Sequence, residues 1–387
     1  MSIPANGLRL LNRLGVYEPL RRGGSVTQEI IVHSTSGNEL GRLDLASDSE
    51  ATTGYEPMRI KRTVLMDALF TAAHALDIPI HFGRRPVSVT EDAAQNATVT
   101  FADGSNDTAD ILLGCDGIHS AVRSLHVDPG VMPEYSGLSS MSSIVPKSTD
   151  LTGLNITFIS QGAVVVLPCT DHGHPQHNDN DSDKDKEQEK ELFWFLTRHI
   201  TPPTSTDRDG WNEHRQKEVT SFKTTVLDLL HNVDGPWGSF LRDIVSSTQS
   251  VNFYPIYRLP RGGVWHTNRC MLLGDAAHAM QPHAGQGVSM AMEDVFFLSR
   301  LLKQDSLNIK DCLSRFEAIR RPRVEYMASQ AARNGQRARP MGPWEMAVKE
   351  WGMWAWLWAS RAFSSSSSWG FRKEDVEYDI DEVDLDG

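Results

Sequence analysis

The residues with the clearest capacity for chemistry form the stretch 272–287, LLGDAAHAMQPHAGQG. The apolar run before Asp275 predicts a strand that delivers this carboxylate to the carboxyl edge of a parallel sheet, where α/β proteins bind ligands. Gly285 and Gly287 allow the backbone to pass close to a flat ligand. The helix predicted to begin near Val288 would direct free N–H groups toward developing negative charge. On its own, the pattern is more often a glycine-rich turn ahead of a helix.

Three other stretches accompany this motif. Residues 110–123, DILLGCDGIHSAVR, contain a continuous apolar strand that ends in an Asp-Gly pair. Residues 58–73, MRIKRTVLMDALFTAA, predict an amphipathic helix. Residues 3–20, IPANGLRLLNRLGVYEPL, predict a helix that ends near Gly15. Helices and strands in this succession predict a parallel α/β sheet.

Together these stretches resemble the FAD-dependent aromatic-ring hydroxylases, the flavoprotein monooxygenase family of the 4-hydroxybenzoate and salicylate hydroxylase type. Residues 110–123 resemble the Asp-Gly motif of the family, and residues 274–295 closely resemble its Gly-Asp motif. The resemblance extends from residue 2 to the neighbourhood of residue 335. It implies an α/β fold with an incomplete FAD-binding Rossmann-like domain, an inserted antiparallel β-sheet substrate domain and a C-terminal helical segment.

The resemblance also implies which residues hold the cofactor. Asp275 would bind the ribityl chain, and the loop 285–287 would lie along the flavin ring. Asp116 and Arg123 match the motif that serves both FAD and the nicotinamide nucleotide, and Arg62 matches a flavin-contacting arginine. The implied cofactor-binding residues are Arg62, Asp116, Arg123, Asp275, Gly285, Gln286 and Gly287. Neither a catalytic base nor a metal site stands out in the sequence.

The activity that the resemblance implies is a monooxygenation. NADH or NADPH reduces FAD, oxygen adds to the reduced flavin as a C4a-hydroperoxide, and the distal oxygen passes to an aromatic or other electron-rich carbon. The partner would be a small aromatic or polycyclic substrate. Two alternatives stay open: an alkene or terpenoid epoxidase of the same fold, and a non-redox remnant that no longer binds FAD.

Two departures from the family pattern bear on this interpretation. Ser289 stands where many members carry an asparagine beside the flavin. The 387 residues also contain no GxGxxG turn, and residues 1–20 resemble the family segment that comes after that strand–turn–helix unit. We therefore expect an N-terminally truncated chain, with a complete protein that has abandoned FAD as the alternative. In either case tight FAD binding is not expected, and strands 78–83 and 110–117 should lose their common sheet.

The domain organisation is predicted from changes in composition and in the secondary structure pattern along the chain. We expect a discontinuous FAD-binding domain at 1–135 and 257–335, with a substrate domain at 136–256 made of antiparallel strands. Its acidic, polar segment 171–191 predicts a disordered loop. Residues 336–387 predict a tryptophan-rich helix followed by a solvated acidic tail.

Periodicity predicts the faces that the helices bury. Residues 25–45 predict a β-hairpin, and the helical segment after residue 310 is expected to break or kink near Pro322. The predicted buried positions are Leu8, Leu11, Leu14 and Leu20; Leu65, Leu69, Ala72, Ala73 and Leu76; and Val288, Ala291, Val295, Leu298 and Leu302.

The tryptophans of the C-terminal helix are expected to share one face. That face comprises Trp344, Val348, Trp351, Trp354 or Ala355, and Trp358. We expect it to pack on the domain or to close a substrate pocket. Weak contact with a membrane surface is the alternative, because indole rings favour that interface.

Composition limits the classes of function. A net charge of −12 argues against a nucleic-acid partner, because phosphate binding needs a basic face. The sequence contains neither a signal peptide pattern nor the run of ~20 apolar residues that spans a bilayer. The four cysteines show no metal or disulfide spacing, and Cys115 and Cys270 are expected to be buried thiols. These features favour a cytoplasmic protein.

Overall fold

The computed structural model describes residues 1–45, 47–92, 96–146, 151–170, 191–203, 208–362 and 373–385. Its strands are β1 (Ser2–Ile3), β2 (Ser25–Val26), β3 (Glu29–His33), β4 (Glu39–Asp44), β5 (Met58–Arg59), β6 (Pro86–Glu91), β7 (Ala97–Phe101), β8 (Asn106–Ala109), β9 (Leu112–Gly114), β10 (Glu134–Pro146), β11 (Leu154–Ile159), β12 (Gly162–Thr170), β13 (Glu191–His199), β14 (Asn252–Arg258) and β15 (Cys270–Leu272). Its helices are α1 (Ala5–Arg13), α2 (Tyr17–Gly23), α3 (Ser47–Thr53), α4 (Arg62–Ala75), α5 (Arg208–Leu230), α6 (Gly235–Ser247), α7 (Asp275–His278), α8 (Gly287–Leu302), α9 (Ile309–Gln336), α10 (Pro343–Ala362) and α11 (Lys373–Glu377). The predicted α/β class is confirmed.

A seven-stranded sheet in the order β14-β10-β13-β12-β11-β3-β4 forms the larger β-layer. The strands predicted between 136 and 256 pair antiparallel within it, as expected from their alternation. The predicted hairpin is confirmed as β3–β4, and β3 pairs in parallel with β11. The hairpin therefore extends this sheet with strands from the segment 1–135. Helices α5 and α6, which the sequence did not lead us to predict, cover one face with a core around Trp194 and Phe253.

A second β-layer carries the predicted chemistry. β9 pairs in parallel with β15, with Leu112 opposite Cys270 and Gly114 opposite Leu272. Helices α8 and α9 cover this pair through a core that includes Phe297. The two motifs recognised in the sequence are thereby brought side by side, since one contains β9 and the other begins just after β15.

The expected strand at 78–83 is absent from the described structure. Leu76, Ile78 and Phe82 are exposed by 72%, 50% and 73%, and Leu113 on β9 by 40%. Within the described residues β9 pairs with β15 alone. The prediction of a strand at 78–83 was wrong because an edge segment needs a neighbouring strand to donate and accept its backbone hydrogen bonds, and β9 does not reach it. The separation of the two segments from a common sheet is as the sequence predicted.

The buried face of α8 differs from the predicted one. The predicted positions Val295 and Leu302 are exposed by 47% and 41%, whereas Glu293 and Asp294 are 1% and 0% exposed. Periodicity placed the acidic residues outside because charge normally faces water. Their burial shifts the inward face of the helix by about one residue position relative to that prediction.

Other helix predictions need smaller corrections. Leu14 is 44% exposed because α1 ends at Arg13, and Gly15, with φ of 73°, leads into α2. Of the face predicted for α4, Leu65 is buried while Leu69, Ala72 and Ala73 are half-buried and Leu76 is exposed. The helix expected to break near Pro322 instead continues as α9, 28 residues long.

The C-terminal helix forms as predicted, but its tryptophan face does not pack. Leu357 and Met346 on the opposite face are 4% and 7% exposed, and Leu357 contacts the β3–β4 hairpin. The outward residues are exposed by 86% at Trp344, 68% at Val348, 70% at Trp351, 47% at Trp354 and 62% at Trp358. The sequence pattern identified the residues of this face correctly. The prediction that the face packs on the domain was wrong, because the face is exposed.

The acidic tail was expected to be solvated, and this expectation is wrong for its described residues 373–385. Ile380 is 1% exposed and packs into the core that lies between α8 and α9. Arg300 donates a hydrogen bond to the carbonyl oxygen of Ile380, and Arg9 pairs with Asp379. Acidic composition gave the wrong prediction because basic side chains on α1 and α8 receive the segment.

Two further expectations concern the acidic loop and the membrane. The loop predicted at 171–191 falls outside the described residues except for Glu191, which begins β13. Among the helices of the described ranges, none is long and apolar enough to cross a membrane.

Candidate functional site

The predicted ligand-binding carboxylate lies in a turn that a second carboxylate holds in place. β15 ends at Leu272, and Asp275 opens the short helix α7. The Oδ2 atom of Asp294 on α8 accepts the backbone N–H of Gly274 at 2.9 Å and lies 2.7 Å from Nε2 of His278. Burial alone would raise the pKa of Asp294, but the charges of His278 and Arg320 and these hydrogen bonds hold it below its ordinary value. Asp294 therefore stays ionised and fixes both ends of the turn.

A buried ionic network ties α8 to its neighbours. Arg320 on α9 is fully buried, and its guanidinium bonds Asp294 at 3.0 Å and Glu293 at 2.9 Å. Arg323 adds two bonds to Glu293, and Asn6 on α1 donates to the same carboxylate at 2.8 Å. Buried charges are tolerated when they are paired and hydrogen-bonded in this way. The network fixes the position of α8 and hence of its first turn.

The first turn of α8 is open at its tip and closed at its side. Gly285 adopts a left-handed conformation with φ of 63° and Gly287 is exposed, with no atom within 4 Å of where its Cβ would lie. On the side, a Cβ on Gly7 would lie 2.4 Å from Oγ of Ser289, so α1 packs on the helix through a glycine. The free N–H groups at the tip therefore remain accessible to a ligand.

Asp275 itself lies among charged groups at the start of α7. Its side chain is exposed, yet the surrounding protein excludes enough water to raise the pKa of the carboxyl, against the opposing charges of His278 and Arg62. Arg62, which begins α4, is also exposed and is close enough to influence Asp275. An accessible carboxylate in partly desolvated surroundings can accept hydrogen bonds from hydroxyl groups of a ligand.

The Asp-Gly motif is held by two different kinds of contact. Oδ2 of Asp116 accepts the backbone N–H groups of Ala121 at 2.6 Å and Val122 at 3.2 Å. Arg123 is 3% exposed and donates to the carbonyl oxygen of Ala276 at 2.8 Å, which connects the two motifs directly. Direct contact of Asp116 and Arg123 with a nucleotide stays a prediction.

Cys115 shares this environment and corrects one expectation. It was expected to be a buried thiol, but it is exposed, whereas Cys270 is buried as predicted. Partial desolvation, followed by the charges of Asp116 and Asp294, raises the pKa of Cys115 to about 11. The thiol is therefore exposed without being a ready nucleophile.

The two histidines of the loop differ in the contacts of their rings. His278 is held by Asp294, as described above. Burial lowers the pKa of the half-buried His283 to about 4, and its backbone carbonyl accepts a hydrogen bond from the amide of Asn334 on α9 at 3.1 Å. Neither ring nitrogen of His283 has a hydrogen-bond partner among the described residues, so its ring is not fixed by the polar contacts that fix His278.

One group among the described residues has the donor set of a metal site. The ligand atoms of Glu91, His126 and Cys270 lie within 4.8 Å of one another. However, Glu91 already accepts hydrogen bonds from the hydroxyl of Thr267 and from the backbone N–H of Arg269 at 3.0 Å. These hydrogen bonds explain the position of the Glu91 carboxylate, which links β6 to the turn before β15.

Sequence reasoning missed the residues that support the site. Glu293 and Asp294 follow the glycine loop by about two helical turns, and Arg320 and Arg323 flank Pro322. Two adjacent acids within a helix and a cluster of arginines on the next helix were the available signal. Their pairing could not be read without knowing that α8 and α9 pack face to face.

Comparison with known proteins decides the family. The model of the FAD-binding domain family matches residues 3–226 and 263–331, which is more than half of the chain. The chain belongs to the FAD-binding flavoprotein monooxygenases. The resemblance stated from the two motifs is confirmed, and with it FAD as the cofactor of the family.

Several curated relatives match this flavoprotein over most of its length. It is 25% identical over 352 residues to the 3-amino-4-hydroxybenzoate 2-monooxygenase PtnB3 of Streptomyces platensis, covering 89% of this chain and 80% of that protein. It is 26% identical to the 6-hydroxynicotinate 3-monooxygenase of Bordetella bronchiseptica, covering 78% and 72%. It is 28% identical to the salicylate hydroxylase of Pseudomonas putida, covering 70% and 61%.

Solved structures show the same fold. Klebsiella pneumoniae HpxO complexed with FAD and uric acid superposes with a TM-score of 0.74 at 20% identity, covering 92% of this chain and 83% of that one. A salicylate hydroxylase substrate complex gives a TM-score of 0.70 at 18% identity, covering 97% and 89%. The fold class predicted for the flavoprotein is confirmed by these superpositions.

The residues around Asp275 and the start of α8 fit one half of FAD. Accessible Asp275, the open tip of α8 at Gly287 and the nearby Arg62 suit a polyhydroxyl chain and a flat, electron-accepting ring. The pyrophosphate half normally lies on a GxGxxG turn, which these 387 residues do not contain. The fit is therefore to the ribityl and isoalloxazine portion.

Proposed function

We propose that this flavoprotein is an FAD- and NAD(P)H-dependent monooxygenase. It would insert one oxygen atom from O2 into an aromatic or other electron-rich small molecule, with the second atom leaving as water. The observation that carries the proposal is the pairing of the accessible Asp275 carboxylate with the open tip of α8, both positioned by Asp294. Bound flavin supplies the electron and oxygen chemistry.

The roles of the individual residues are inferred from their placement. Asp275 accepts hydrogen bonds from the ribityl hydroxyls, and the loop 285–287 lies along the ring. The N–H groups at the start of α8 stabilise negative charge on the pyrimidine end of the ring, by ~0.3–1 kcal/mol where exposed and up to ~2 kcal/mol where partly buried. Arg62 adds a positive charge near Asp275. Asp116 and Arg123 shape the loop that a nucleotide approaches.

The substrate class is inferred from the relatives. The relatives named above act on 3-amino-4-hydroxybenzoate, 6-hydroxynicotinate and salicylate according to their names, all of them substituted aromatic rings. An aromatic substrate with an electron-donating group is accordingly the class we propose here. We also infer a cytoplasmic location, which the four unpaired cysteines support.

The proposal is tested by comparing the wild-type chain with Asp275→Asn. Because hydrogen bonds to a charged group contribute about 1.5–3 kcal/mol, the substitution should weaken FAD binding roughly 10- to 150-fold. FAD affinity is measured by titration of flavin fluorescence. Oxygen uptake with NADPH is then measured with salicylate and 4-hydroxybenzoate as probes.

The control is Asp107→Asn, which removes an exposed carboxylate on β8. An equal loss of FAD binding in both variants would reject the assigned role of Asp275. A folded wild-type chain that takes up neither FAD nor oxygen would reject the monooxygenase and support the non-redox remnant.

A further inference from the structure

The outer face of α10 is a continuous apolar surface. We call Trp344, Val348, Trp351, Trp354 and Trp358 the tryptophan face. Their spacing of four, three, three and four residues keeps them on one side of the helix over roughly 21 Å. The charged residues Glu345, Lys349 and Glu350 lie off this side, and Glu350 accepts the backbone N–H of Thr35 at 2.6 Å on the packed side.

A cationic hollow adjoins the first turns of the tryptophan face. Arg333, Arg337, Arg339 and Lys349 line a pocket of about 740 Å³ together with Trp344 and Val348. Its single lining acid, Glu345, lies 3.4 Å from Arg339. We call this hollow the basic pocket. It gathers four basic side chains and one acid in one corner of a protein whose net charge is −12, so the local charge opposes the overall charge.

We propose that the tryptophan face and the basic pocket together dock the protein on an anionic lipid bilayer. The indole rings would lie at the level of the headgroups, where tryptophan is enriched in membrane proteins. The helix would lie flat in the interface, as amphipathic helices do. The basic pocket would receive a lipid phosphate, and each basic residue near such a surface strengthens binding about fivefold.

The surroundings of Lys349 are consistent with an anion in the pocket. Its ammonium group donates to the carbonyl oxygen of Arg337 at 2.6 Å and lies 3.5 Å from the centre of the Phe158 ring. Burial first, and then the charges of Arg337 and Arg339, lower the pKa of Lys349 to about 7. A phosphate placed among these three side chains would offset their mutual repulsion.

A second copy of the chain fits this surface less well than a bilayer does. In a two-fold dimer residue i of one copy contacts residue j of the other, and the reverse. The partner would then present only another tryptophan face and basic pocket, which leaves the positive charges of both pockets without an anionic complement. An anionic bilayer instead provides a complement to both the apolar and the cationic parts.

Flotation of the full chain with vesicles tests the proposal. We expect the protein to float with vesicles of phosphatidylcholine and phosphatidylserine, to float less with phosphatidylcholine alone, and to be released by salt. The double variant Trp351→Ser/Trp358→Ser should lose about tenfold in vesicle affinity for each indole removed. Arg333→Ala/Arg339→Ala should lose about fivefold for each charge on the anionic vesicles.

Matched controls distinguish binding through this surface from nonspecific binding to vesicles. Phe82→Ser removes an aromatic ring that is also highly exposed, and Arg22→Ala removes an exposed cation; both should float like the wild type. Flotation that fails on anionic vesicles, or that falls equally in the controls, overturns the proposal. So does a concentration-dependent dimer in light scattering that the Trp351→Ser/Trp358→Ser variant abolishes, because it assigns the face to a second copy.

Discussion

Asp294 holds three groups at once: the backbone N–H of Gly274, the ring of His278 and the guanidinium of Arg320. Asp275, the residue that would touch the ligand, was predictable because its type and spacing form a motif. Asp294 was not, because a hydrophobic-periodicity argument places acids on the solvent side of a helix. At this scale the sequence identifies the residues at the ligand and misses those that position them.

Glu91 gives a prediction for the dependence of stability on pH. Burial alone would raise its pKa, but hydrogen bonds from Thr267 and Arg269 outweigh burial and lower the pKa from 4.5 to about 2. A depressed pKa stabilises the fold above about pH 4.5, and this contribution is lost as pH falls toward 2. Glu91→Gln should therefore destabilise by about 3 kcal/mol at neutral pH and progressively less in acid.

Urea unfolding followed at several pH values measures this effect. Glu134→Gln, at an exposed position on β10, is the control and should leave the pH profile unchanged. A Glu91→Gln penalty that is the same at pH 7 and at pH 3 would contradict the prediction.

Among the secondary structure elements, the sequence predicted those whose partners are close in sequence or whose burial is one-sided. The β3–β4 hairpin, α4 and the strand before Asp275 are of this kind. It failed where a distant segment decides the outcome. The segment 78–83 lacks the neighbour a strand requires, α9 continues through Pro322 because its packing on α8 outweighs one missing hydrogen bond, and the acidic tail docks on basic residues far away in sequence.

The docked tail gives the prediction at this scale. Ile380→Ala removes a side chain that is 1% exposed and should lower the free energy of unfolding by about 2–5 kcal/mol. Ile78→Ala makes the same chemical change at a site that is 50% exposed and should cost within about 0.5 kcal/mol. Guanidinium unfolding of the two variants measures the difference. Equal midpoints would show that the tail does not contribute to the fold.

The described part of the molecule contains a β-layer of seven paired strands and a smaller layer in which β9 pairs with β15. The seven-stranded sheet is covered by α5 and α6, whereas Leu113 on β9 of the smaller layer is exposed, as are Leu76 and Phe82 in the segment after α4. We call these three residues the open face. Exposed apolar side chains favour association. The domain division predicted from the sequence stays a prediction, since the β3–β4 hairpin and the substrate strands share one sheet.

Association through the open face can be measured. Phe82→Ser/Leu113→Ser should slow the growth of light scattering on gentle warming severalfold, without lowering the unfolding midpoint, because both side chains are already exposed. Ile144→Ser removes an apolar side chain with a similar exposed fraction on β10 and should not slow scattering. Equal slowing by the Ile144→Ser control would show that no particular surface is responsible.

The last turns of α9 serve two neighbours. Arg333 and Arg337 line the basic pocket, and between them Asn334 bonds the carbonyl oxygen of His283 in the loop ahead of α8. The end of α9 therefore contacts both the basic pocket and the loop ahead of α8. If this helix end couples the two sites, thermodynamic reciprocity requires bound cofactor to change the affinity for lipid by the same factor by which lipid changes the affinity for the cofactor.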